Sequence, residues 1–239
     1  MTERTEEIAL AKPTRRAFLK RTSLVMAASA VGLAGYSGLI EPNEIDVHKL
    51  EIWVERLSAA FDGFKIALLS DLHFGPYTGE REISAAVEAA NRSQPDLVAI
   101  LGDFVSTPYV GNRRPAAKKA EPCAVVLSRL RSRFGSFAIL GNHDYTTDSA
   151  FIIDALSSHG IAILRNENHP IERDGARFWL LGADDALYSN LDLDATAAVP
   201  THEPKILLAH EPDIADQASK LGIDVQFSGH SHGGQVRFP

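Results

Sequence analysis

Five short polar motifs carry the side chains that could do chemistry here: Asp71-Leu72-His73, Gly102-Asp103, Gly141-Asn142-His143-Asp144, His210 and Gly229-His230-Ser231-His232. Carboxylate, amide carbonyl and imidazole are the donors that hard or borderline divalent cations prefer. A carboxylate can also bridge two cations and offset their repulsion. Two such ions about 3.5–4 Å apart can clamp the attacking and leaving oxygens of a phosphoryl transfer. Each motif alone is weak, because Asp, Asn and Gly also make ordinary turns. Together they are strong: five of the nine histidines fall inside them. His230 and His232, two residues apart, would lie on one side of an extended segment. Gly102, Gly141, Gly229, Gly233 and Gly234 flank the candidate ligands, where the backbone must turn or approach closely.

The elements that must hold these motifs can be read from hydrophobic periodicity. Short apolar runs at 64–70, 97–101, 136–140, 205–209 and 224–228 read as buried strands, and each ends where a polar motif begins. Helical spacing falls at 80–92, 122–131, 148–158 (with Asp148 as a candidate N-cap) and 212–220. A first strand is expected at 47–54. Strands at 162–164, 169–172 and 177–181 follow the pattern of a hairpin, with Asp174-Gly175 as its turn. The alternation makes this an α/β protein with some antiparallel pairing, in one domain covering 41–239. Open α/β sheets gather ligand sites at the carboxyl ends of their strands, so the five motifs can share one site. The one loop-like insertion, 106–121, carries Arg113, Arg114, Lys118 and Lys119. These could recruit an anionic substrate or be an ordinary solvated loop. Phe74, Tyr77 and Tyr145 flank ligands and either contact substrate or pack.

Composition is ordinary for a globular chain of 239 residues, with 45% hydrophobic and 23% charged residues. The net charge of −7 argues against a nucleic-acid partner. The single cysteine, Cys123, excludes an intrachain disulfide and reads as a buried small hydrophobe. Residues 1–40 read differently. Thr14-Arg15-Arg16-Ala17-Phe18-Leu19-Lys20 precedes an uncharged run from Thr22 to Ile40. That is the pattern of an export signal with a modest apolar segment. The arginine pair resembles a twin-arginine signal, which implies the twin-arginine export machinery as a partner and an extracytoplasmic or membrane-associated location. Ala28-Ser29-Ala30 is a candidate cleavage site, so cleavage and retention as a membrane segment both stay open.

In order, D-x-H, G-D, G-N-H-D, H and G-H-x-H resemble the calcineurin-like metallophosphoesterase family from about residue 45 onward. The resemblance implies a four-layer α/β/β/α sandwich and a dinuclear centre. It implies that Asp71, His73 and His232 hold one metal and that Asn142, His210 and His230 hold the other, with Asp103 bridging. His143 would be a general acid or stabiliser of developing charge, oriented by Asp144. The nucleophile would be a metal-bridging hydroxide, and the two divalent ions manganese, iron or zinc. The stretches SDLHFG, ILGDF, LGNHDY and SGHSHGGQVRFP are similar to a bacterial branch of exported or membrane-associated phosphoesterases. Some of its members hydrolyse UDP-2,3-diacylglucosamine, a lipid A precursor. Three functions follow as alternatives. They are hydrolysis of phosphodiester or phosphomonoester bonds, hydrolysis of a pyrophosphate in a lipid-linked nucleotide sugar, and a non-catalytic binding scaffold. Relatives continue for several dozen residues past G-H-x-H-G-G-Q, so the C-terminal strands of the second sheet are expected to be truncated at Pro239.

Overall fold

The computed structural model describes residues 14–39, 45–108, 110–200 and 202–232. Gly233, Gly234 and the last residues before Pro239 lie outside them. Two compact units divide the chain at Glu44. In the first, helix α1 spans Arg15–Leu39, starting at the arginine pair. Its Phe18, Leu24, Val25, Met26 and Val31 side chains are exposed. No helix among the described residues is long and apolar enough to cross a membrane.

The second unit begins with residues 45–54, which join no sheet among the described residues. The strand expected at 47–54 is therefore absent. Its apolar pattern suits a strand, but no neighbour supplies a hydrogen-bonding ladder, and Trp53 and Leu50 are exposed. Strands β1 (Ile66–Leu69), β2 (Leu97–Ile100), β3 (Ser136–Ala138) and β4 (Ile161–Ile163) form one parallel sheet in that order. Strands β5 (Glu167–Arg173), β6 (Ala176–Gly182), β7 (Lys205–Ala209) and β8 (Val225–Ser228) form the second. There β5 and β6 are an antiparallel hairpin, and β6, β7 and β8 run parallel. Asp174 and Gly175, the hairpin turn, both have positive φ, the mirror-image turn that matches strand twist.

Alternate side chains of each strand enter different layers. From β2, Val98 and Ile100 pack with helices α2 (Glu80–Arg92), α3 (Ala120–Leu127) and α5 (Ser149–Ser158). Leu97, Ala99 and Leu101 point the other way and meet Phe178, Leu180, Ile206 and Leu208 of the second sheet. From that sheet, Leu181, Leu207 and Ala209 pack outward with α6 (Leu193–Thr196) and α7 (Ala215–Lys220). Three apolar layers thus separate helices, sheet, sheet and helices, the expected α/β/β/α arrangement. Cys123 is fully buried in the first layer. The insertion at 106–121 is not all loop: a 3-10 helix spans Arg114–Lys119 and runs into α3. The helix expected at 212–220 begins instead with a 3-10 turn, Pro212–Ile214.

Candidate metal centre

The carboxyl ends of both sheets meet at one edge. Beyond β1 and β2 the chains stay side by side, because the backbone N–H groups of Asp71, His73 and Phe74 donate to the carbonyls of Gly102, Asp103 and Phe104 at 3.1, 2.9 and 2.9 Å. This continuation sets Asp71 and His73 beside Asp103. Across the gap, the N–H of His230 reaches both oxygens of Asp71, at 3.2 and 3.1 Å. His210 Nδ1 donates to the carbonyl of Leu101 at 2.6 Å, which leaves its Nε2 free for a cation.

All seven residues named as ligands converge. One cluster contains Asp71, His73, Asp103 and His232, with donor atoms within 4.8 Å of one another. His73 Nε2 lies 3.1 Å from His232 Nε2 and 3.6 Å from Asp103 Oδ2, and His232 Nε2 lies 3.4 Å from Asp71 Oδ1. On the other side, Asn142 Oδ1 is 3.2 Å from His210 Nε2 and 3.0 Å from His230 Nδ1, and His210 Nε2 is 3.4 Å from Asp103 Oδ2. Donors bound about 2.0–2.2 Å from one ion stand at such separations from each other. One oxygen of Asp103 thus faces an imidazole of each group, as a bridging carboxylate must. The donor set fits divalent cations.

The backbone is bent to this purpose. Asp71, His73, Asp103, His230 and His232 all have φ between 44° and 63°, a region that costs L-residues energy and clusters at functional sites. Glycine is required where two motifs touch. A Cβ at Gly141 would stand 2.3 Å from Asp103 Oδ1, and one at Gly229 would stand 2.0 Å from Ser70 Oγ.

Electrostatics follow from burial and crowding. Burial pushes the Asp103 carboxyl up, but the hydrogen bond and charge of His210 outweigh it and hold the group below its usual range. Burial lowers His210, yet Asp103 and the Leu101 carbonyl raise it further, to about 9. A cation must displace that proton, so binding releases protons. His73 is lowered, chiefly by burial.

His143 and Asp144 open helix α4 (Asn142–Thr147), which sequence periodicity does not reveal. The His143 N–H donates to Asp103 Oδ1 at 2.9 Å, and its ring stacks edge-on to His73. Burial lowers its pKa, opposed by Asp103 and helped by His210, His232 and Arg113. The basic insertion therefore lies near enough to act on the site.

Asp144 does not orient the His143 ring, contrary to expectation. Fully buried, its carboxylate accepts the backbone N–H groups of Gly141, Asp103 and Phe104 at 3.0, 2.9 and 2.9 Å. It ties the second and third motifs together from behind. Burial first and the Asp103 charge second push its carboxyl up to about 7, against those three amides. Thr107 is what meets the ring, with Oγ1 at 2.9 Å from His143 Nδ1. Among the described residues no hydrogen bond reaches Nε2.

Three further participants carried no sequence signal beyond a polar side chain next to a motif. Ser70 donates to Asp71 Oδ2 at 2.6 Å. Glu211 is buried and clusters with His210 and His230. Asp185 is buried against Glu211, and burial and that carboxyl both raise it. Of the flanking aromatics, Phe74 is core, Tyr77 is exposed, and the Tyr145 hydroxyl donates to Asp184 and accepts from Arg165.

Parallel sheets that deliver buried aspartates and imidazoles to one edge define a metal-binding α/β protein. Residues 64–234 match the family model described as calcineurin-like phosphoesterase, and the chain belongs to that family. It is 31% identical to the uncharacterized metallophosphoesterase YkuE of Bacillus subtilis, over 95% of this chain and 80% of that protein. Phosphodiesterase YaeI of Escherichia coli is also 31% identical, with the same coverage. A transmembrane protein with metallophosphoesterase domain from Danio rerio is 36% identical over 92% of this chain, which spans only 51% of that protein.

Proposed function

We propose that this chain is a phosphoesterase that uses two divalent cations to hydrolyse a phosphodiester or phosphomonoester. The observation that carries the reading is the position of Asp103, one oxygen of which faces both imidazole groups. Asp71, His73 and His232 would hold one cation and Asn142, His210 and His230 the other. Manganese, iron and zinc all suit these donors. When bound, the cations would supply positive charge for the phosphoryl oxygens and an activated water. The chain's own residues do the rest. Asp103 fixes the distance between the two donor groups. Thr107 and the Asp103 carboxylate hold His143 so that Nε2 faces outward, ready to give a proton to the leaving oxygen. Asp144 keeps both loops in register without touching substrate.

The phosphodiesterase name of the Escherichia coli relative supports a diester. A lipid-linked pyrophosphate is the second reading. It is favoured by Tyr77, Leu187 and Tyr188, exposed apolar side chains on loops that follow β1 and β6 at the metal-bearing edge. A binding scaffold without catalysis is disfavoured because no ligand is missing. Export by the twin-arginine route, with an extracytoplasmic or membrane-associated location, is supported by Arg15 and Arg16 at the start of a weakly apolar helix.

The test separates the two roles. Asp103→Ala should lose metal and hydrolysis of bis-p-nitrophenyl phosphate together. His143→Ala should keep metal and lose about 10²–10⁴-fold in turnover. Hydrolysis retained by purified Asp103→Ala protein would sink the assignment. Faster turnover of a vesicle-borne pyrophosphate than of soluble diesters would favour the second reading.

A further inference from the structure

The two donor groups are unequal in charge. Asp71 belongs to the first alone, and Asp103 is shared. Asn142, His210 and His230 are neutral donors, so the second cation would have only a share of one carboxylate. A dication in a buried site needs more compensation than that.

Glu211 stands beside this deficient group. It follows His210 directly and is 4% exposed. One of its oxygens accepts the N–H of Ala186 at 3.1 Å. The other, Oε1, is buried with no N–H or hydroxyl donor among the described residues, and the Glu211 carboxyl hydrogen-bonds with that of Asp185. A carboxylate oxygen of Glu211 and one ring nitrogen each of His210 and His230 lie within 4.8 Å of one another. Two carboxyls buried against each other concentrate negative charge, which a cation beside them would offset. The His230 ring that presents Nδ1 to Asn142 is also the one beside Glu211.

We infer that Glu211 is a positioning residue for the cation held by Asn142, His210 and His230. Its carboxylate supplies the charge that the neutral donors lack. Asp185 is the brace. It is fully buried, Oδ1 accepts the N–H groups of Leu187 and Tyr188, and its carboxyl hydrogen-bonds with that of Glu211. The loop after β6 thereby closes behind Glu211. This rests on the two-cation reading above.

The experiment titrates full-length, metal-stripped protein with Mn²⁺ by calorimetry, backed by chelator competition. Wild type should take up two ions. Glu211→Gln, isosteric but neutral, should keep one ion at unchanged affinity and bind the other about 10–100-fold more weakly. Asp174→Asn removes an acid from the β5–β6 turn, away from the site, and should keep both. Thermal melts of the metal-free proteins check folding. If the Gln variant does not fold, Glu211→Asp, which withdraws the charge by one methylene, should show the same one-sided weakening to a smaller degree. Wild-type affinity at both ions in a folded Glu211 variant would overturn the inference. So would equal loss at both, or an Asp174→Asn variant that copies the Gln loss. A wild-type protein that binds no metal would instead refute the two-cation reading itself.

Discussion

Replacing Gly141 by alanine adds one methyl group at one of the two tightest points of the site. Gly141 has φ −113° and ψ 178°, a conformation open to any residue, so the backbone gives no objection. The effect is purely steric. The new Cβ would meet Asp103 Oδ1 at 2.3 Å and His210 Cε1 and Nε2 at 2.7 Å. Ordinary carbon contacts are about 3.5–4.0 Å, so these atoms must separate by about 1 Å. Asp103 cannot retreat freely, since its Oδ1 holds the His143 N–H and its own N–H is held by Asp144. His210 is pinned by Leu101. Overpacking of this kind destabilises by about 1–3 kcal/mol, and a 1 Å misplacement costs about 10²-fold in rate. The expected protein is folded, poor in metal, and at least about 100-fold slower. Metal content after dialysis, turnover of bis-p-nitrophenyl phosphate and a thermal melt measure the three quantities. Gly175→Ala is the control: it has φ +78° but nothing within 4 Å, so it should lose stability and keep metal. Full metal and a rate within tenfold of wild type for Gly141→Ala would refute the steric account of the site.

Two other outcomes follow from buried groups. Asp144→Ala leaves three backbone N–H groups without their acceptor, at about 1–3 kcal/mol each, so several kcal/mol of stability should vanish in chemical denaturation. A variant melting within a degree or two of wild type would show that those amides find other partners. Stability should also fall between about pH 9 and 12. Burial, then the charge of Asp144, pushes the Cys123 thiol up from 9.0 to about 12. Burial and the Asp184 hydrogen bond likewise raise Tyr145 from 10.0 to about 12. The unfolded chain loses these protons first, so their contribution is complete below the unfolded values and is lost as pH rises through the folded ones. For the fully buried Cys123 this amounts to about 4 kcal/mol. Cys123→Ala should flatten that decline, and an unchanged alkaline slope would dismiss the thiol as its source.

Much of the fold is legible because each layer leaves a local trace. Leu97–Ile100 is apolar throughout, since one face meets helices and the other meets the second sheet. Lys205–Ala209 reads the same way for the same reason. The Asp174-Gly175 turn is written in two residues. The segment at 45–54 misleads because alternation shows that a stretch can be a strand, whereas a strand exists only when another chain segment pairs with it. Helix α4 is missed because it is short and opens with the polar Asn142 and His143, which face the site rather than a core, so no apolar period marks it.

Residue types and their order along the chain therefore determine which side chains reach the site. Asp71, His73, Asp103, Asn142, His210, His230 and His232 are recognisable because cation chemistry admits few donors and each follows a strand. What they do to one another is decided in three dimensions. Asp144 looks like a neighbour of His143, but it serves amides of Asp103 and Phe104, 41 and 40 residues away. Glu211 looks like an ordinary loop acid until folding buries it beside two imidazoles. Thr107 becomes the partner of His143 only when the loops after β2 and β3 meet. Hydrogen-bond partnership, burial and left-handed backbone at five ligands depend on long-range packing, and the sequence carries no local signal for any of them.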